Sequence, residues 1–338
     1  MMKNPRAKHN FIGRTCSITG VGSYVPERIL TNADLEKMVE TSDEWITTRT
    51  GIKERRIAAP DEFTSDLATK AALRAMEMAG ITAGQIDLII VASITPDMPF
   101  PNTACLVQQK IGARRVPAFD IEAACSGFLY ALEVGQSFIT ARTFETVLVI
   151  GAEKLSSITN WKDRNTCVLF GDGAGAAILQ NRPLSHGLLT TALGADGAKA
   201  ELLSMPGGGS RCPATPQTVQ DGLHYLRMDG KETFKNAVQA MCSAANEVLS
   251  RCDIDITKIK CVIPHQANRR IIDAVGERLG ATPEQLFVNL HKYGNTSAAS
   301  VAIALDEAVR SGRVTRGDLI LIVAFGAGLT WGAAIIEW

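Results

Sequence analysis

Four stretches of the chain, 88–91, 147–150, 261–263 and 319–323, are apolar without interruption. A strand with one wet face alternates apolar and polar residues, so unbroken runs this short predict strands covered on both faces. Between them the period lengthens. Residues 66–79 and 234–250 are predicted helices. Thr282-Pro-Glu-Gln285 has the form of a capping box with Pro at the first helical position, which predicts a helix start. A further helix over 296–310 stops at Ser311-Gly312. Strands alternating with helices predict α/β layers.

The pattern is used twice. Gly80-Ile-Thr-Ala-Gly-Gln-Ile-Asp-Leu-Ile-Ile90 ends a helix and enters a buried run, and Asp253-Ile-Asp-Ile-Thr-Lys-Ile-Lys-Cys-Val-Ile263 does the same. Lys110-Ile-Gly-Ala113 then matches Arg278-Leu-Gly-Ala281, and Phe119 matches Phe287. On that register Cys125 lies opposite Tyr293, close to Asn295. The two turns are equivalent points of two half-domains. A site at their junction follows, because open α/β sheets take ligands at strand C-terminal ends where the topology switches.

With 338 residues, 46% of them hydrophobic, the chain can bury a large core in one domain or two similar ones. Lys+Arg and Asp+Glu are both 35, which argues against general nucleic-acid binding. No apolar run is long enough to span a membrane, and residues 1–10 lack the apolar centre of a secretory signal. Residues 1–12 read as a flexible tail. Eight cysteines without a Cys-x-x-Cys pair predict free thiols in a reducing cytoplasm, and no His/Cys cluster has metal-site spacing. Gly171-Asp-Gly-Ala-Gly175 mimics a dinucleotide loop. It runs into a short apolar segment rather than a helix and has the wrong spacing, so no nucleotide cofactor is expected. The Gly- and Pro-rich stretch 204–217 reads as an exposed loop.

The candidate chemistry centres on Cys125. In Phe119-Asp-Ile-Glu-Ala-Ala-Cys-Ser-Gly127 a strand stops at small residues and an apolar helix follows. A cysteine at a helix N-terminus faces unpaired N–H groups and a dipole that favour the reactive thiolate. His265, in Val262-Ile-Pro-His-Gln-Ala-Asn268, sits just past a strand. Asn295 opens Asn-Thr-Ser-Ala-Ala299 at the mouth of a predicted helix. Each has a plainer use: an inert thiol, a satisfied core histidine, a helix N-cap. Together they form a nucleophile, a base or donor, and a fixed amide donor.

Those three segments, with Thr41-Ser-Asp-Glu-Trp-Ile-Thr-Thr-Arg-Thr-Gly-Ile52, Phe170-Gly-Asp-Gly-Ala-Gly175 and Phe325-Gly-Ala-Gly-Leu-Thr-Trp-Gly332, resemble β-ketoacyl-acyl-carrier-protein synthase III, from about Ile18 to Trp338. The resemblance implies a thiolase-like five-layer αβαβα fold built from pseudo-duplicated halves, 13–183 and 184–338. It implies decarboxylative Claisen condensation of an acyl-CoA primer, expected to be acetyl-CoA, with malonyl-acyl-carrier-protein. Cys125 would carry the acyl group, with His265 and Asn295 as donors to the enolate. The oxyanion hole would be the N–H groups of Cys125 and Ala327, where the family often has Gly. Trp45 and Arg164 would sandwich the adenine of CoA, Thr41 and Arg49 would help hold it, and Gly230 with Asn268 would line the pantetheine tunnel. Lys235, Arg269, Arg270 and Arg278 would dock the acidic carrier protein. Phe100 would close the acyl pocket of a neighbouring subunit, which makes the expected assembly a homodimer. No cofactor is needed.

Three rivals differ in kind. A starter-unit ketosynthase of a polyketide or related pathway would keep every catalytic residue. A thiol-dependent acyl hydrolase would need water at the thioester. A non-catalytic carrier-protein-binding homologue should have lost Cys125, His265 or Asn295, and it has lost none.

Overall fold

The computed structural model describes residues 16–182 and 186–338. The expected tail and the expected boundary between halves at 183/184 lie outside them. The first sheet holds β1 (Cys16–Tyr24), β2 (Leu88–Ala92), β3 (Ala118–Ile121), β4 (Thr146–Glu153) and β5 (Gly173–Asn181), in the order β1-β5-β4-β2-β3. The second holds β6 (Gly187–Ala195), β7 (Cys261–Pro264), β8 (Leu319–Gly326) and β9 (Thr330–Glu337), in the order β7-β8-β9-β6. The second order follows the first strand for strand: β6, β9, β8 and β7 stand where β1, β5, β4 and β2 do. In the place of β3 there is only a parallel bridge, Val262 to Leu286.

The unbroken apolar runs have a direct cause. Leu88 and Ile90 of β2 face a core shared by both sheets, while Ile89 and Val91 face an outer layer. In β8, Ile320 and Ile322 take the shared core, and Leu321 and Val323 take the other side. Both faces of each strand are therefore dry.

Helices α1 (Asp43–Thr50), α2 (Thr64–Ala79), α3 (Thr103–Lys110), α4 (Gly127–Thr140), α5 (Gly230–Cys252), α6 (Arg269–Leu279) and α7 (Ala299–Arg310) complete the frame. α2 and α3 cover the outside of the first sheet, and α5 covers the second. α4 and α7 lie between the sheets and touch strands of both. The result is the five-layer αβαβα arrangement expected of a thiolase-like fold.

Two predicted helix starts are corrected. Thr282–Gln285 is a turn, although Thr282 N does donate to Gln285 Oε1 at 2.8 Å. That bond caps no helix because Gln285 Nε2 is spent on Ile256 and Ile259 carbonyls, and Leu286 bridges to the sheet. The helix read from 296 begins at Ala299. Ser297, with φ +47°, breaks the path. The Gly-rich 171–175 segment enters strand β5, so the fold gives it no nucleotide-loop geometry.

Candidate active site

Strand ends of both sheets open onto one cavity of about 1430 Å³ lined by Cys125, His265 and Asn295. Each side chain is fixed by its own turn. Cys125 lies in a short 3-10 turn, Ala124–Ser126, which leads straight into α4. Ser126 Oγ donates to Ala123 O at 2.8 Å, and Thr330 Oγ1 lies 3.0 Å from Ala123 O and 2.9 Å from Ala327 O. Thr330 thus ties the nucleophile turn to the β8–β9 turn. A Cβ on Gly326 would sit 2.6 Å from Cys125 N, so the second turn passes against the first only because that residue is glycine. Cys125 and Ala327 both line the cavity, as a two-donor oxyanion hole requires.

Burial works against the thiolate that the helix terminus favours. Cys125 is 7% exposed, and burial pushes its thiol up to about 12. The dipole of α4 acts in the other direction, against the desolvation of the charged sulfur. The resting nucleophile is the thiol.

His265 follows β7 and is buried. Its backbone N donates to Val323 O at 2.8 Å. Behind it Gln266 is saturated: Nε2 donates to Pro264 O and Phe287 O, and Oε1 accepts from Asn289 N and Leu290 N. The ring Nδ1 lies 3.0 Å from Ser300 Oγ, which also accepts from Gln266 N at 2.8 Å. A Ser300 hydroxyl that donates to Nδ1 leaves the ring hydrogen on Nε2, toward the cavity that His265 lines. Burial lowers the ring to about 4, so it is a neutral N–H donor at working pH rather than a cation.

Asn295 is not a helix cap. Its backbone bridges Phe170, donating to Leu169 O at 2.8 Å and accepting from Gly171 N at 3.0 Å. Its Oδ1 accepts from Ser297 N at 2.9 Å. That leaves Nδ2, a donor, for the cavity it lines. The deceptive glycine motif is what holds this turn: a Cβ on Gly171 would lie 2.3 Å from Tyr293 O.

Of the residues expected to hold CoA, Trp45, Arg49, Gly230 and Asn268 line the cavity, and Arg164 packs on Trp45. Arg164 and Arg49 both flank the Trp45 ring, with Cζ 5.1 and 4.9 Å from its centroid. Arg164 lies too close to the Trp45 ring to admit a flat group between them. Thr41 Oγ1 is buried without a partner. Asn268, however, spends its amide on structure: Oδ1 caps α6 through Arg270 N and Nδ2 donates to Arg49 O. It shapes the wall. Lys235, Arg269, Arg270 and Arg278 are exposed on neighbouring helices α5 and α6, and Arg269 is paired with Asp273 at 2.7 Å. Phe100 is 84% exposed and lies outside its own cavity, although Met98 and Pro99 beside it line the wall. Met205 and the glycines at 207–209 line it too, which gives the 204–217 stretch a place at the mouth.

Sequence reading missed Ser300, Thr330, Ser297 and Glu153. Ser300 meets the His265 ring, Thr330 ties two turns, Glu153 gathers Thr95 and Ser93, and Ser297 lines the cavity; only the fold shows which neighbours they reach.

Two family models match, one described as 3-oxoacyl-[acyl-carrier-protein] synthase III over residues 119–197 and one as the C terminal of that synthase over 249–338. A β-ketoacyl-[acyl-carrier-protein] synthase III of Caldanaerobacter subterraneus is 59% identical over 95% of this chain and 97% of its own. The crystal structure of 3-oxoacyl-[acyl-carrier-protein] synthase III from Aquifex aeolicus superposes with a TM-score of 0.90 at 50% identity, covering 96% of this chain and 100% of its own. The priming β-ketosynthase of the R1128 polyketide pathway gives 0.89 at 36%, covering 96% of each. With a cavity built on Cys, His and Asn and relatives this similar along nearly its full length, the chain belongs to the β-ketoacyl-[acyl-carrier-protein] synthase III family.

Proposed function

We propose that Cys125 accepts the primer and that His265 and Asn295 drive decarboxylation in an enzyme that condenses acyl-CoA with malonyl-acyl-carrier-protein. Cys125 sulfur attacks the acyl-CoA thioester, and the tetrahedral oxyanion is held by the N–H groups of Cys125 and Ala327. CoA leaves. Malonyl-acyl-carrier-protein enters and loses CO₂, and the charge moves to its thioester oxygen. His265 Nε2–H and Asn295 Nδ2–H hold that oxygen. The enolate carbon attacks the acyl-Cys carbonyl, and 3-oxoacyl-carrier-protein departs as the Cys125 sulfur is released. The reaction initiates fatty-acid synthesis.

The observation that carries this reading is a pair of side chains lining one cavity with Cys125: a ring whose Nδ1 is occupied and an amide whose oxygen is occupied. A hydrolase would need an activated water, and a histidine lowered to about 4 and turned donor-first supplies no base for one. The polyketide priming ketosynthase among the similar structures supports a second reading, with the same chemistry on another primer.

Several finer assignments belong to the same proposal. The halves are 13–183 and 184–338. CoA is held by Thr41, Trp45, Arg49 and Arg164 at the mouth of a tunnel walled by Gly230 and Asn268. The carrier docks on Lys235, Arg269, Arg270 and Arg278. The assembly is a homodimer in the cytoplasm, and Phe100 is its exported residue. Among the described residues no helix is long and apolar enough to cross a membrane.

Intact-protein mass spectrometry after single acyl-CoA primers of increasing length tests the reading. The expected result is a stable acyl adduct on Cys125, confined to primers the pocket admits. An adduct elsewhere, or free acid without an adduct, rejects it.

A further inference from the structure

Neutral His265 leaves a gap in the acylation step: something must take the proton of the Cys125 thiol. Ser297 and Glu153 are the groups placed to do so. Ser297 is 1% exposed, lines the cavity, and has its backbone at φ +47°, where non-glycine residues are rare. Its hydroxyl is buried without a formed hydrogen bond in the resting structure; it shares the cavity wall with Cys125 and with Ile94 and Thr95, which hold Glu153, and it favours the charged form of both the thiol and the carboxyl. An idle buried hydroxyl costs free energy that a strained backbone does not recover, which is the mark of a working position.

Glu153 ends β4 and is wholly buried. Its Oε2 accepts from Thr95 Oγ1 at 2.5 Å, Ser93 Oγ at 3.2 Å and Ile94 N at 3.2 Å. Its Oε1 has only a long contact, 3.3 Å from Ile94 N, so that oxygen retains room for a proton. Burial raises the carboxyl to about 7, against polar neighbours at Thr95, Ser297, Ile94 and Ser93 that favour its ionised form. The charged and titratable groups around it are few. Cys125 is coupled to it. Lys154 turns away to Ala59 O and Glu62 O, Asp172 is held by Ala58 and Ser156, and His265 is tied to Ser300.

We propose, resting on the reading of Cys125 as nucleophile, that Ser297 relays the Cys125 proton to Glu153 as the acyl group is taken up. The S–H bond breaks toward Ser297 Oγ, and the Ser297 proton passes to Glu153 Oε1. Thiol plus carboxylate becomes thiolate plus carboxylic acid. The thiolate attacks the thioester, CoA thiolate departs, and the proton returns along the same path and leaves as the CoA thiol. Ser297 shares the cavity with the reacting sulfur. Glu153 acts through Ser297.

The test is the rate of acyl-Cys125 formation by rapid-quench mass spectrometry, measured from about pH 5.5 to 9 with acetyl-CoA. Wild type should rise through a single inflection near neutrality. Glu153→Gln and Ser297→Ala should acylate at least about tenfold more slowly near neutral pH, within the range general bases contribute, and should lose the inflection. Ser297→Thr should retain it. A Glu153→Gln protein that fails to fold leaves Ser297→Ala to decide the matter. If Ser297→Ala acylates at the wild-type rate with the wild-type pH profile, the relay is wrong. If wild type itself forms no adduct at Cys125, the assignment of the nucleophile is what fails.

Discussion

At the scale of single residues, the site separates two tasks. In the proposed mechanism Cys125 handles acyl transfer, and the two donors handle the malonyl group. Cys125→Ala should abolish acyl transfer from CoA. His265→Ala and Asn295→Ala should still form the acyl-enzyme, yet lose malonyl decarboxylation by roughly 10²-fold or more, the usual loss when one oxyanion donor is removed. Release of labelled CO₂ measures this, and unimpaired release in Asn295→Ala would remove that residue from the mechanism. Burial also writes two opposed pH dependences into stability. Folded His265 titrates at about 4 against 6.5 unfolded, so its contribution is lost as pH falls from 6.5 toward 4. Folded Glu153 titrates at about 7 against 4.5 unfolded, so its contribution is lost as pH rises from 4.5 to 7. Each is worth roughly 3 kcal/mol at about 1.36 kcal/mol per unit. Between pH 4.5 and 6.5 they oppose each other. Denaturant unfolding across pH should show wild type nearly flat there, Glu153→Gln gaining stability with rising pH, and His265→Gln losing it. Three parallel curves would contradict both assignments.

At the scale of elements, the glycine-rich segment 171–175 shows how function hides in packing. Gly171 donates to Asn295 O, and the position where a side chain would start lies 2.3 Å from Tyr293 O and 3.1 Å from Arg55 Cβ. Gly171→Ala should therefore cost about 1–3 kcal/mol, as overpacking does, and should impair decarboxylation more than acylation because it moves the Asn295 turn. Gly84→Ala, whose nearest neighbour is 3.9 Å away, is the control and should be silent in both assays. The same segment shows what could be read in advance. Its context ruled out a nucleotide loop, since periodicity reports the strand that follows. Its partner across the molecule, Tyr293, is set by tertiary approach and leaves no local trace. The strands were legible because both of their faces are buried. Cys125, His265 and Asn295 were legible because each stands at a strand or helix end in a specific motif. The start of α7 was misread by three residues, 296 against 299, since Asn295 and Ser297 bend to serve the cavity and override the local preference for an N-cap. The desolvation of Cys125 leaves no local trace for a related reason: a helix terminus is visible in sequence, but the depth at which it is buried is not.

At the scale of the whole molecule, two layered sheets bring their strand ends to one point, and the surface around that point determines what arrives. The basic residues on α5 and α6 are unequal. Arg269 is committed to Asp273, and Arg270 also lines the cavity, 6.0 Å from the Phe234 ring. Lys235→Glu is thus the cleaner probe. It should raise KM for malonyl-carrier-protein, leave acyl-CoA transfer near normal, and be mimicked by added salt, which screens exposed charges over roughly 8–10 Å. The last prediction concerns Phe100. A side chain this large and 84% exposed costs solubility unless something covers it, and its neighbours Pro96 to Pro99 wall the cavity on the inner side. In the proposed homodimer it enters the partner's acyl pocket, so primer length is set by a residue the reacting subunit does not own. Phe100→Ala should deepen that pocket and extend the range of acyl-CoA primers that label Cys125, at little cost to the fold of the protomer. Phe100→Asp should weaken the dimer as well, read by sedimentation, and lose acylation in proportion to the monomer formed. Mixing Phe100→Ala subunits with Cys125→Ala subunits shows whose pocket the ring closes. In the heterodimer, the only intact Cys125 belongs to the chain whose own Phe100 has been truncated. Its pocket still receives the intact ring contributed by the Cys125→Ala chain. Long primers should therefore label Phe100→Ala homodimers and leave the heterodimer unlabelled, while short primers label both. Long-primer adducts on the heterodimer would show instead that Phe100 closes the pocket of its own chain.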